Sequence, residues 1–332
     1  MPTPGEFEII ERWFTRATAD RAVLTGIGDD AAIVRPAGPI AIAVDMLVAG
    51  RHFPDDLPAR AIGHRALAVN LSDLAAVGAR PRWATLALSL PAAEPDWIAA
   101  FAEGFFALAE RWQLSLIGGD TTRGPLTITV QVIGDAAATP MLRSGGQPGD
   151  CVFVSGTLGD SAAALELVGD GRAAVAVPAP GASTAGASTA GDSARALVER
   201  FAYPEPRVEL GQALAGVAHA AIDVSDGLLA DLQHICRQSG CGAELELDAL
   251  PLSPALLACF PRERAEAFAL GGGDDYELCF SCADADVERL MALAEAAATP
   301  VTAIGRLTPE RGLRGRRGGR SRPLEPAGYR HF

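Results

Sequence analysis

The sequence predicts an α/β (α+β) protein built as two domains. Three observations carry that expectation. Its 332 residues correspond to about two domains of ordinary size. Strand-like apolar runs alternate with helix-periodic stretches in both halves, the pattern of layered sheets and helices. Small residues and aspartates also cluster at the edges of several strand-like runs, where sheet proteins gather ligands. These clusters are Gly26-Ile27-Gly28-Asp29-Asp30, Asn70-Leu71-Ser72-Asp73, Gly118-Gly119-Asp120-Thr121-Thr122, Asp223-Val224-Ser225-Asp226-Gly227 and Gly271-Gly272-Gly273-Asp274-Asp275.

In the first half, Phe7, Ile10, Trp13 and Phe14 have helical spacing, so a helix is expected over 6–18. Apolar runs at 27–34 and 40–48 read as strands. The Ala/Leu/Val-rich stretch 59–77 reads as a long helix closed by Gly78, with Pro81 beyond it. Asp73 sits inside that helix, where an unpaired carboxylate would be costly, so it should meet water or a cation. A strand at 83–90 follows, then a helix over 94–112 with Trp97, Phe101, Phe105 and Leu108 on one stripe. A short buried strand at 114–117 ends at the Gly118–Thr122 cluster, and 126–134 alternates as a strand with one exposed face. The first domain closes near Ala138, giving domains of 1–138 and 139–332.

The second half restarts with a strand at 151–155 and the turn Gly156-Thr157-Leu158-Gly159-Asp160-Ser161, which opens a helix through Leu167. Free N–H groups at such an opening favour anions. Residues 178–191 hold two copies of Gly-Ala-Ser-Thr-Ala and read as a flexible surface insertion. Helices are expected at 208–218, 228–238, near Pro254 and at 284–298, with strands at 221–224, 243–247, 276–282 and 301–307. Arg311, Arg314, Arg316, Arg317, Arg320 and Arg322 crowd a glycine-rich stretch that reads as a solvated loop.

Composition excludes several classes. A formal net charge of −13 argues against a nucleic-acid binder, which needs a basic surface. The longest apolar runs stop short of the roughly 20 residues of a membrane helix, and 1–11 lacks the basic and apolar regions of a secretion signal. Six irregularly spaced cysteines read as buried thiols of a cytoplasmic protein. All 28 Lys+Arg positions are arginine. A Walker A or protein-kinase lysine is therefore excluded, as is imine chemistry.

Six carboxylates stand out beside glycine or serine: Asp30, Asp45, Asp73, Asp120, Asp223 and Asp226. No histidine joins them at zinc-ligand spacing. All-oxygen ligation points to Mg²⁺ or a similar hard cation, which an acidic chain needs as a bridge to an anionic phosphate. From the residues alone, a multi-Mg²⁺ phosphoryl-transfer site, metal-assisted hydrolysis and a non-catalytic acidic cation-binding protein all remain open.

The ordered motifs resemble the thiamine-monophosphate kinase family. They run from Gly5-Glu6-Phe7 and Gly26–Asp30, through Val69–Ala79 and Ile117–Thr122, to Thr157–Ala162. Asp223–Leu228, Gly272–Leu278 and Gly328-Tyr329 complete them. The resemblance implies transfer of the ATP γ-phosphate to thiamine phosphate, giving thiamine diphosphate and ADP. It implies the two-domain aminoimidazole ribonucleotide synthetase-like fold, with N-terminal domains paired in a homodimer. By motif match, Asp30, Asp45, Asp73, Asp120 and Asp223, with Asp226 beside them, would ligate magnesium. Gly119, Asp120, Arg143 and Ser225 match ATP-contact positions, and His52, Asp274 and Tyr329 match positions that hold thiamine phosphate. Other ATP-using members of the superfamily stand as the alternative.

Three features depart from the family pattern. Ala43 and Val44 stand where hydroxyl residues commonly precede the strand aspartate. Asp274 replaces the first glutamate of Gly-Gly-Glu-Asp-Tyr-Glu, and the Gly-Ala-Ser-Thr-Ala insertion is extra. No general base is evident, and none is needed: a phosphate monoester with a second pKa of about 6 is largely ionised at neutral pH.

Overall fold

The computed structural model describes residues 4–175, 190–326, 328 and 329. The chain divides into two compact units, Met1–Leu74 with Ala79–Ala136, and Ala75–Gly78 with Ala137–Phe332.

In the first unit, α1 (Glu6–Ile9) continues into a π-helical turn, Ile10–Phe14, shorter than the helix expected over 6–18. Then come β1 (Val23–Thr25), β2 (Ile33–Val34), β3 (Ile40–Val48), α2 (Ala59–Ala76) and β4 (Arg80–Leu90). α3 (Pro95–Arg111), β5 (Ser115–Arg123) and β6 (Thr127–Asp135) complete the unit. The strand expected at 27–34 survives only as β2, because the Gly26–Ala32 segment turns instead of extending. β5 runs straight through Gly118–Thr122, which had read as the end of a strand. The four-stranded sheet has the order β3-β6-β4-β5, antiparallel except for parallel β4 and β5. Its buried side chains include Leu86, Leu88, Val130 and Val132, and Ile62, Leu67, Phe101 and Phe105 of α2 and α3 are buried as well.

The second unit contains β7 (Cys151–Ser155), α4 (Asp160–Gly169), α5 (Ala190–Ala202), α6 (Val208–Leu214), β8 (Ala220–Val224) and α7 (Leu228–Ser239). It continues with β9 (Gly242–Glu246), α8 (Pro254–Cys259), α9 (Arg262–Gly271), β10 (Glu277–Cys282), α10 (Val287–Ala296), β11 (Val301–Thr308), β12 (Gly312–Arg317) and β13 (Arg320–Leu324). Seven strands form one sheet in the order β13-β12-β9-β11-β7-β10-β8. β7, β8 and β10 are buried along their whole length, so apolar residues fill both faces and the polar exceptions, Ser155, Asp223, Glu277 and Ser281, are buried with them. Their core joins Val152, Val154, Ile222 and Val224 to Leu228, Leu232 and Ile235 of α7.

Two helices, α5 and α9, were absent from the sequence reading. The arginine-rich stretch is a β-hairpin, not a loop, with Arg316 paired to Glu246 and Arg317 to Asp248 and Glu266. The expected insertion at 178–191 lies outside the described residues, except for its last two, which begin α5.

Candidate active site

In the first unit the candidate residues sit on a turn, an edge strand and a helix. Asp30 is exposed on the Gly26–Ala32 turn, its amide donating to Asp29 Oδ1 (2.8 Å). Asp45 lies in β3, an edge strand, and its N–H donates to Asn70 Oδ1 of α2 (2.8 Å). The Asn70 side chain is fully buried and donates in turn to Ala66 O. Asp73 follows three residues later on the same helix, half-buried and on the Asn70 face. The His52 Nδ1 accepts the Val48 N–H (3.0 Å), so the neutral ring carries its proton on Nε2.

Asp120 is placed differently. It is exposed on β5, at the other edge of the sheet. Asp45 pairs with Val130 and Val130 with Leu86, both buried, whereas Asp120 pairs with Ala87, which is exposed. Side chains alternate along a strand, so Asp45 and Asp120 face opposite sides of one sheet, separated by three strand spacings, about 14 Å. Gly119, beside Asp120, presses its backbone on β4: a Cβ there would fall 1.8 Å from Leu86 O. Among the described residues, no three His, Cys, Asp or Glu side chains converge as a metal-binding group.

The second unit, in contrast, gathers its candidates around one turn. Asp223 is buried near the end of β8, and Ser225-Asp226-Gly227 turns the chain into α7. Asp231, the fourth residue of α7 and 3% exposed, accepts the N–H groups of Ser225 (3.0 Å), Asp226 (3.1 Å) and Gly227 (3.1 Å) on Oδ2. Burial pushes this carboxyl up to about 7, the charges of Asp223 and Asp226 add to the rise, and the amides oppose it.

The glycine-rich loop before β10 closes over the same turn. Asp274 N donates to Ser225 O (2.8 Å) and Tyr276 N to Val224 O (2.9 Å). A Cβ on Gly273 would lie 2.4 Å from Ser225 O, so glycine permits this contact. Asp274 and Tyr276 take positive φ, 68° and 51°, which costs a non-glycine residue about 1–2 kcal/mol. The Tyr276 hydroxyl donates to Asp274 Oδ1 (3.0 Å). From the C-terminal side, Tyr329 N donates to Asp226 O (3.0 Å). A cavity of about 220 Å³ lies beside the turn, with Asp226, Gln233, His234, Arg237 and Tyr329 in its wall. Burial, then the charges of Arg143 and Arg237, hold His234 below the ordinary imidazole value. The second unit thus brings Ser225, Asp226, Asp274 and Tyr329 around one turn, whereas the Arg143 backbone is held at the far end of α7, its carbonyl accepting from Ser239 Oγ (3.2 Å).

The α4 opening is different from the expected anion site. Its Gly159 N–H donates to buried Asp275 Oδ2 (2.7 Å), so a side chain of the protein itself already takes that place. Burial raises Asp275 well above the carboxylate range, against the Gly159 hydrogen bond. Burial also acts on the fully buried Glu277, but Arg200 and Arg207 outweigh it and hold that carboxyl low. Asp231 escaped the sequence reading, and Asp275, Tyr276 and Glu277 entered it only as members of the Gly272–Leu278 motif, without a role of their own. For Asp231 the available signal was an aspartate in the first turn of the helix that follows Ser-Asp-Gly.

Both units match the AIR synthase related protein family, the N-terminal domain over residues 28–136 and the C-terminal domain over 147–317. Over 333 aligned residues, 99% of this chain and 98% of the relative, it is 43% identical to the thiamine-monophosphate kinase of Salmonella typhimurium. The chain belongs to the thiamine-monophosphate kinase family. The solved thiamine-monophosphate kinase of Stenotrophomonas maltophilia K279a superimposes with a TM-score of 0.83 at 46% identity, covering 90% of this chain and 92% of that one. AaThiL complexed with AMPPCP and TMP superimposes with a TM-score of 0.74 at 31% identity, covering 88% and 87%. Among the described residues, no helix is long and apolar enough to cross a membrane.

Proposed function

We propose that this protein transfers the γ-phosphate of ATP to thiamine phosphate, forming thiamine diphosphate and ADP. The observation that carries this reading is 43% identity to a thiamine-monophosphate kinase along 99% of the chain. A family member that accepts AMPPCP and TMP together supports direct transfer between the two bound phosphates. No phospho-enzyme is needed. The acceptor phosphate is already ionised, so catalysis is positioning plus charge neutralisation.

The donor chemistry fits magnesium in kind, hard carboxylate oxygens without thiol or imidazole: Asp30, Asp45, Asp73 and Asp120 in the first unit, where Asp45 and Asp120 face opposite sides of the sheet and would hold different ions, and Asp223 and Asp226 in the second. Bound Mg²⁺ would supply charge neutralisation of the phosphates. We assign Gly119, Asp120, Arg143 and Ser225 to the nucleotide. His52, Asp274 and Tyr329 are assigned to thiamine phosphate. In this reading, residues 1–138 form the ATP- and magnesium-binding dimerisation domain and 139–332 the second α/β domain. All six cysteines are free thiols, as a cytoplasmic protein requires.

A homodimer belongs to the same reading. Ile42, Val44 and Met46 project from one face of β3 with 56%, 56% and 54% exposure, an apolar edge that a lone soluble domain normally avoids. A second copy covering this face would also meet the side of the sheet that carries Asp120.

The test is nucleotide turnover with purified protein, ATP, Mg²⁺ and thiamine phosphate, followed by chromatography of the products. Stoichiometric ADP and thiamine diphosphate are expected, with turnover lost on chelation. ATP consumption that is indifferent to thiamine phosphate would overturn the assignment.

A further inference from the structure

The geometry points to Tyr276 as a positioning residue for the Asp274 carboxylate, and so as a determinant of thiamine phosphate affinity. This rests on the assignment of Asp274 to the substrate. The loop from Asp274 to Tyr276 sorts its three side chains in different directions. Asp275 is 1% exposed and tied to Gly159 N, and the Tyr276 ring is 7% exposed. Asp274 stays half-buried, and the Tyr276 hydroxyl donates back to its Oδ1 at 3.0 Å.

Backbone conformation explains how a residue only two positions away can make that bond. Asp274 and Tyr276 both have left-handed φ, 68° and 51°. An extended chain would place both side chains on one face, pointing in parallel. The reversal instead lets the phenol curl onto the carboxylate. Nothing intrinsic to tyrosine favours this conformation. It is held from outside, by Asp274 N on Ser225 O and Tyr276 N on Val224 O. Backbone strain that the surroundings enforce, next to a ligand-binding carboxylate, is the pattern of a pre-organised site.

The one-carbon-shorter acid strengthens the argument. Asp274 stands where the family commonly has glutamate, and an aspartate has one fewer rotatable bond with which to find its partner. Fixing χ2 through a hydrogen bond to Oδ1 sets the plane of the carboxylate before substrate arrives. The substrate then does not bear that ordering cost.

Tyr276→Phe keeps the ring and removes only the hydroxyl. Steady-state kinetics should show KM for thiamine phosphate raised about five-fold, the loss expected for one hydrogen bond, with kcat and KM for ATP changed less than two-fold. A tyrosine that served packing alone would show no such split. Asp274→Ala should raise the same KM by more than ten-fold, and adding Tyr276→Phe to it should change nothing further. Three outcomes overturn the proposal: Tyr276→Phe leaves the KM for thiamine phosphate unchanged, it lowers kcat alone, or it acts equally in the Asp274→Ala background. If Asp274→Ala itself leaves that KM unchanged, the substrate assignment of Asp274 fails and Tyr276 loses this role with it. A silent Tyr276→Phe beside a responsive Asp274→Ala removes the proposal alone.

Discussion

The two units hold their candidate carboxylates in opposite ways. In the first, Asp30 and Asp120 are exposed, one on a turn and one on an edge strand, and Asp120 faces away from Asp45. In the second, one turn carries Ser225 and Asp226 and is tied on three sides, by Asp231 beneath, by the Asp274–Tyr276 backbone and by Tyr329. The second turn is therefore ordered before any ligand binds. The first set is laid out on a scaffold whose ligands must do the ordering. Substitutions should divide accordingly. In the first unit they should strike activity without stability; in the second they should strike both.

The sharpest break between the two comes at Asp120. Asp120→Ala should lower kcat about 10²–10³-fold, as losing a main charge-stabilising group does, while urea unfolding stays within about 0.5 kcal/mol of wild type. Retained turnover at saturating Mg²⁺ would remove Asp120 from the chemistry. Next comes the β3 face. Val44→Asp puts a carboxylate on an apolar surface that is 56% exposed in the single chain. Sedimentation should then show a dimer for wild type and a monomer for the variant, with activity falling in parallel. A wild-type monomer would show that the face is not a pairing surface.

Asp231→Ala probes the other side of the comparison. It leaves three N–H groups without their acceptor beneath a turn whose Gly227 is buried. Unsatisfied groups of this kind cost about 1–3 kcal/mol each when desolvated. A total loss of about 2–4 kcal/mol is expected, since part of the turn stays open to water. The Mg²⁺ concentration for half-maximal rate should rise with it, because Asp226 loses its fixed position. Unchanged stability would show that the turn holds without Asp231.

How much of this could be read beforehand follows from the range of the forces involved. β3 and α2 carry their own patterns, an apolar run at 40–48 and an Ala/Leu/Val stretch closed by Gly78, and their bounds were legible to within a residue. β5 was not. Gly118, Gly119 and Asp120 are turn-formers by local chemistry, yet the strand runs through them because Gly119 lets the backbone press on Leu86. α9 was missed because its sequence, Arg-Glu-Arg-Ala-Glu-Ala-Phe-Ala-Leu-Gly, shows little apolar periodicity and starts directly after Pro261. The site divides on the same line. The aspartates beside glycines stood out, and their roles came from resemblance. Asp231 had a local signal, an aspartate in the first turn of the helix after Ser-Asp-Gly, whereas Tyr276 acts through a left-handed φ that no local pattern announces.

The smallest effect, and the most specific to the clamped turn, lies in pH dependence. Asp231 has its carboxyl pushed up to about 7 from an ordinary 3.8, burial being the main cause. Between those values the folded chain holds a proton that the unfolded chain releases, so this group's contribution is full below about pH 4 and is lost as pH rises through about 7. In metal-free protein, stability from this group should fall by up to about 1.4 kcal/mol per pH unit across that window. Asp231→Asn cannot titrate but keeps a carbonyl oxygen to accept the three amides. Urea midpoints at pH 4.5, 6 and 7.5 should then decline less steeply for the variant than for wild type. The two curves should cross or converge toward acid pH, where the wild-type carboxyl is also neutral. Parallel curves would mean that Asp231 is ionised throughout. The three amides would then outweigh burial, and the turn would be held by a charged acceptor instead of a neutral one.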